Sequence, residues 1–158
     1  MKRWAWILCG ILLMGTGGKT GEDLETLKPV CLLEVSWKKG SVMLRTDTGD
    51  YGTGASLQSA LKDMEETSSG RIFLETADFL LLEGNAEALL PEIWEKLRPA
   101  VRVCRTEEKL DLRQAAEYLS VHLPETTLGG MEREGDIPPE LIKEGERLKF
   151  NEKPGKAK

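Results

Sequence analysis

Hydrophobic and polar positions alternate first at Val30–Trp37, with Cys31, Leu33, Val35 and Trp37 on one face and Glu34 and Ser36 on the other. The alternation resumes after Lys38-Lys39-Gly40, with Val42 and Leu44 on one face and Arg45 opposite. Two such runs around a short Gly-containing turn predict a β-hairpin. Asp47 to Gly54 is rich in Gly, Thr and Asp and reads as a loop or a frayed strand end. Ser56 then caps a predicted helix reaching Glu66, because Leu57, Ala60, Leu61 and Met64 recur at helical spacing. Ser68-Ser69-Gly70 stops it. Arg71–Leu74 and Phe79–Leu82 predict one interrupted strand or two adjacent pieces of the sheet.

A second helix is expected from Asn85 toward Leu97, kinked at Pro91 or starting there, because proline suits only the first turn. Ala100–Cys104 reads as a buried strand. Asp111 with Gln114 three residues on resembles a capping box, and Leu112, Ala115, Ala116 and Leu119 form one apolar helical stripe. The order β-β-α-β-α-β-α predicts a single small α/β domain with a mixed sheet, partly parallel and with at least one antiparallel hairpin.

The two ends carry different patterns. Lys2-Arg3, an apolar run from Trp4 to Met14 and Gly15-Thr16-Gly17-Gly18 together form an export signal. Its eleven apolar positions would rise roughly 16 Å as a helix, against about 30 Å of hydrocarbon. Cleavage after Gly17 or Gly18, or retention as an anchor, are both open. Cys9 lies inside the apolar run with Leu8 before it, so it is not a lipobox cysteine. The expected organisation is residues 1–18 as signal peptide or membrane anchor, 19–28 as linker, 29–128 as the α/β domain and 129–158 as a flexible tail. The tail holds seven basic and seven acidic residues and few apolar ones.

Charge and composition narrow the chemistry. The 158 residues carry a net charge of −5 and one His. No dense Lys/Arg face exists to neutralise phosphates, which argues against nucleic-acid binding. A single His with three scattered Cys excludes a His-rich zinc site, and no cofactor is expected. Cys31 and Cys104 could pair in an oxidising compartment or remain buried free thiols.

Four short matches carry candidate chemistry. Gly18-Lys19-Thr20 resembles the end of a phosphate-binding loop, but Leu13 stands where a Gly is required. Leu123-Pro124-Glu125-Thr126-Thr127 resembles a sortase signal without the apolar span that should follow. Gly49–Ser56 is glycine-rich and enters a helix, yet has Asp50 and no nearby cation to favour an anion. Asp47-Thr48-Gly49 matches the triplet of aspartic proteases, whose chemistry needs two carboxyls sharing a proton. One copy would work only in a dimer. The acidic group Glu75, Asp78 and Glu83 is the other catalytic candidate, and isolated acids of this kind more often serve solvation and turns. His122, at a helix end, suits the exposed carbonyls there. No residue is assigned a catalytic, cofactor-binding or metal-binding role.

From Gly54 to Tyr118 the order of features resembles the N-terminal domain of Ger(x)C-type spore germination lipoproteins. The resemblance rests on Ser56-Leu57-Gln58-Ser59-Ala60-Leu61, on Ile72-Phe73-Leu74 with Phe79-Leu80-Leu81-Leu82, and on Arg98 with Val101-Arg102-Val103-Cys104. It covers under half of the chain, without the family's lipobox or its larger C-terminal portion. It implies an exported or membrane-anchored, extracytoplasmic, non-catalytic module that binds a membrane-associated protein partner, with residues 4–14 touching the membrane if the signal is uncleaved. A small exported hydrolase using Asp47 as an aspartic-protease-like dimer is the alternative.

Overall fold

The computed structural model describes residues 27–151. The expected export segment 1–18 with Cys9 and Gly18-Lys19-Thr20, residues 19–26 of the expected linker and residues 152–158 of the expected tail lie outside the described residues. The hairpin forms as its pattern predicts. Strands β2 (Leu32–Lys38) and β3 (Ser41–Thr46) pair antiparallel, with Lys38 opposite Ser41. Lys39 and Gly40, both at positive φ (53° and 78°), make the two-residue turn. This backbone twist matches that of the paired strands, and Gly40 takes it without strain. The chain continues into β4 (Tyr51–Gly54), so the glycine-rich stretch is an edge strand.

Helix α1 (Leu57–Thr67) starts at Ser56, whose side chain accepts from the Ser59 N–H while Ser59 Oγ accepts from the Ser56 N–H. The helix lies directly on β4. A side chain at Gly52 would run into the Ala60 carbonyl, and one at Gly54 into Ser59. These glycines are explained by close helix–strand approach rather than by anion binding.

The next predicted strand pair separates into two sheets. A short strand β1 (Leu27–Pro29) pairs parallel with β5 (Arg71–Phe73). Leu27 and Lys28 therefore belong to the body rather than to a linker. Leu74–Thr76 turns as a 3₁₀ helix, and β6 (Phe79–Gly84) enters the main sheet parallel to β2. The Pro91 ambiguity resolves as a 3₁₀ turn, Ala86–Leu89, followed by α2 (Leu90–Trp94) with Pro91 in its first turn. Strand β7 (Arg102–Thr106) then pairs parallel with β6, completing a mixed sheet of order β4-β3-β2-β6-β7. Helix α3 (Leu112–Val121) is capped by Asp111, which accepts from the Gln114 N–H, while the Gln114 side chain donates to the Glu146 carbonyl instead of back to the cap.

The flexible tail expected from residue 129 is corrected over 129–151. Helix α4 (Leu128–Glu134) is capped by Thr127, and β8 (Leu141–Glu144) and β9 (Arg147–Phe150) form a second hairpin. Leu141 and Leu148 are buried against Leu32, Leu81, Cys104 and α3. These few apolar residues sit at the correct positions of a hairpin, which average composition does not reveal.

Both faces of the central sheet are thereby covered. Leu33, Val35, Leu44, Leu80, Leu82 and Val103 pack with α1, Ala86 and Ile93. Leu32, Phe79, Leu81 and Cys104 pack with α3 and the second hairpin. Each fully buried leucine contributes about 2 kcal/mol of transfer free energy. The sheet edges are also occupied. The Thr53 N–H donates to Asp63 beside β4, while the N–H groups of Val103 and Arg105 in β7 donate to the Thr126 and Pro139 carbonyls. Occupied edges present few free backbone groups for pairing with another chain.

Candidate functional site

Two arrangements of polar side chains stand out, one inside the sheet and one at its β7 edge. The internal one occupies the α3 side of β2, β3 and β6, beyond the apolar patch. Hairpin register sets Glu34 opposite Arg45, and the parallel pairing sets Ser36 opposite Glu83. Glu34 is completely buried and takes a two-pronged contact from Arg45, through Nε and through Nη2 at 2.8 Å. Glu83 is also buried and is met by Lys38 Nζ at 2.5 Å. Buried Ser36 and Thr106 border it.

The two carboxyls differ in their electrostatics. Burial pushes the Glu34 carboxyl above the usual range, outweighing Arg45, and nearby Glu83 adds to the rise. Burial acts on Glu83 as well, but hydrogen bonds from Lys38 and Ser36 and the positive charges of Lys38 and Arg45 hold it below that range. Asp50 is likewise lowered, because Lys28, Ser68 and Thr48 hydrogen-bond its carboxylate despite partial burial. Every one of these acids is held by a cation of the same domain. Such an array fixes strand register and shields charge, and it leaves neither Glu34 nor Glu83 open to a substrate.

The acids singled out in the sequence fall in separate places. Asp47 sits in the turn after β3, where Oδ1 accepts from the N–H groups of Cys31 and Leu32 at 3.1 and 3.0 Å. Glu75 is exposed on the 3₁₀ turn before β6. Asp78 and Glu83 flank opposite ends of β6, separated by five residue steps, roughly 17 Å, and Asp78 faces Arg98 at 3.3 Å. The trio does not converge. His122 caps α3 and stacks on Tyr118 at 4.4 Å, and Tyr118 in turn meets Phe150 edge-on.

Cys31 and Cys104 are both free. Burial pushes the Cys104 thiol up to about 12, and burial with Asp47 and Asp78 nearby raises Cys31, so neither thiol is activated. Among the described residues no three His, Cys, Asp or Glu are grouped to hold a metal ion, and no helix is long and apolar enough to cross a membrane.

The arrangement at the β7 edge escaped the sequence reading. The segment Leu123–Thr127 and the segment Ile137–Pro139 both run beside β7, through bridges between Arg102 and Thr127 and between Arg105 and Glu140. Between them lies a groove of about 450 Å³. Leu123 and Ile137 on its walls are 51% and 54% exposed, and with Val121 at 75% and Tyr51 at 60% they are, among the described residues, the large hydrophobic side chains most open to solvent. The sortase-like segment is thus one wall of a groove. A cluster of prolines (Pro124, Pro138, Pro139) beside an aliphatic residue was the available signal. Its meaning depended on two segments meeting along one strand edge.

No family model, no curated protein and no solved structure matches this chain.

Proposed function

We propose that the chain is an exported, membrane-proximal protein-interaction module without catalytic activity, related in role to the N-terminal domain of Ger(x)C-type germination lipoproteins. Its partner is a membrane-associated protein, and residues 4–14 are its membrane contact where the signal is retained. The observation that carries this over a hydrolase is the use of Asp47. Its carboxylate already joins the start of β2 to the β3–β4 turn through two backbone N–H groups. An aspartic-protease dimer would need that oxygen facing a second Asp and a water. The apolar exposure at the β7 edge supports a binding role.

Export is tested by protease accessibility in intact protoplasts expressing the full-length chain. External protease should digest the wild-type domain and spare an Ile7→Asp, Leu12→Asp variant, because acids inside the apolar run block insertion. Protection of the wild-type chain would overturn the exported reading. Peptide cleavage at acid pH that Asp47→Asn abolishes would replace the module with the hydrolase.

A further inference from the structure

The groove beside β7 contains a guanidinium with nothing to bind. Arg105 stands in β7, and its backbone N–H is used by the Pro139 carbonyl at 2.9 Å. Its side chain lines the groove, its Nε is buried without a hydrogen-bond partner, and the guanidinium makes no hydrogen bond or ion pair among the described residues. The other described arginines with buried or half-buried heads are matched. Arg45 holds Glu34, and Arg102 donates to the Pro124 carbonyl at 2.6 Å. A cationic donor buried without an acceptor is unfavourable, and such a group points to a missing acceptor.

We propose that this groove is a binding site for a carboxylate carried on an apolar body. A carboxylate is the planar, two-oxygen acceptor that fits a guanidinium fork. The walls settle the rest of the ligand. Leu123, Pro124, Ile137, Pro138 and Phe150 supply apolar surface, and the prolines have no N–H to offer. The Ile137 and Pro139 carbonyls are already used, by Thr126 Oγ1 and by the Arg105 N–H. The volume suits a small organic acid or the last residues of a peptide.

Two carboxylates also line the groove, Glu125 and Glu140. Glu140 accepts from Asn151 Nδ2 at 2.9 Å, and neither reaches Arg105 as an ion pair. Their charge disfavours phosphates and dicarboxylates, leaving a monocarboxylate as the matching class. This role does not require the chain to be exported.

The test titrates the purified full-length chain, followed by the NMR signal of the Arg105 Nε–H. The probes are hexanoate against hexanamide, and N-acetyl-Ala-Leu with a free C-terminus against its C-terminal amide. Saturable binding of an acid that shifts the Nε–H signal, with at least about tenfold weaker binding of the matching amide, is the expected result. Whichever acid binds more tightly identifies the source as a free acid or a chain end. Arg105→Gln should weaken the acid by a similar factor. Glu125→Gln, at an exposed rim position, should tighten it. If Arg105→Gln fails to fold, Leu123→Ser with Ile137→Ser at exposed positions should still weaken acid binding. Equal binding of acid and amide, no saturable binding of either acid, or unchanged affinity in the folded Arg105→Gln variant would each overturn the proposal.

Discussion

The two faces of the central sheet are built from the same five strands, yet they use their buried area differently. Toward α1 and α2 the sheet presents an apolar layer, Leu33, Val35, Val42, Leu44, Leu80, Leu82 and Val103, with Thr46 the buried polar residue at its end. Toward α3 the layer is divided. Leu32, Phe79, Leu81 and Cys104 lie under α3 and the second hairpin, while Glu34, Ser36, Glu83 and Thr106 continue the same face as buried polar groups. The apolar face is tolerant of detail, since any well-packed aliphatic set fills it. The divided face specifies partners, because a buried carboxylate accepts only an arrangement that supplies its donors.

The largest effect should come from separating Glu34 from Arg45. Arg45→Met leaves an uncompensated buried carboxyl and should lower unfolding free energy by about 4 kcal/mol, measured by urea denaturation. Glu34→Leu combined with Arg45→Met should recover most of that loss, since an apolar pair of similar volume suits the same space. A double variant as unstable as the single one would show that the pair holds the face together through more than charge compensation.

Cavity formation should come next, and it compares the two layers directly. Leu82→Ala on the first face and Leu141→Ala in the second hairpin should each cost about 3 kcal/mol. A Leu141→Ala cost below about 0.5 kcal/mol, the range of a surface change, would remove the second hairpin from the core. Limited proteolysis should agree, leaving residues 129–151 protected.

The smallest effect is a pair of opposite pH slopes. Glu34 is raised in the folded state, so its contribution is fully present below the ordinary carboxylate range and is lost as pH rises through the raised value. Glu83 is lowered, so its contribution is present above the ordinary range and is lost as pH falls through the lowered value. Stability relative to Glu34→Gln should therefore fall with rising pH, and stability relative to Glu83→Gln should rise with it. Slopes of the same sign would mean that the two carboxyls titrate as one unit.

Much of the first hairpin and of the two longer helices was legible in residue spacing. The β2–β3 alternation, Ser56 before a helical stripe and Asp111 before another are local signals, and the structure uses them as hairpin and caps. The Glu34–Arg45 pairing was nearly within reach, because a two-residue turn at Lys39-Gly40 places 34 opposite 45. The burial of both was not, since alternation marks two faces without saying that both are covered. Glu34 and Ser36 carry the pattern of an exposed face, and only α3 and the connections beside it enclose them.

By itself, then, the sequence determined the mixed α/β character, the first hairpin and the starts of its two longer helices, since these depend on neighbours a few residues apart. The tertiary structure decided the rest. It sent Arg71–Phe73 to β1 rather than to the main sheet, folded 129–151 over the second face, and drew Leu123 and Ile137 together beside Arg105. Each of these depends on contacts between segments far apart in the chain. A short apolar run has no preferred partner until the surface it must cover has formed.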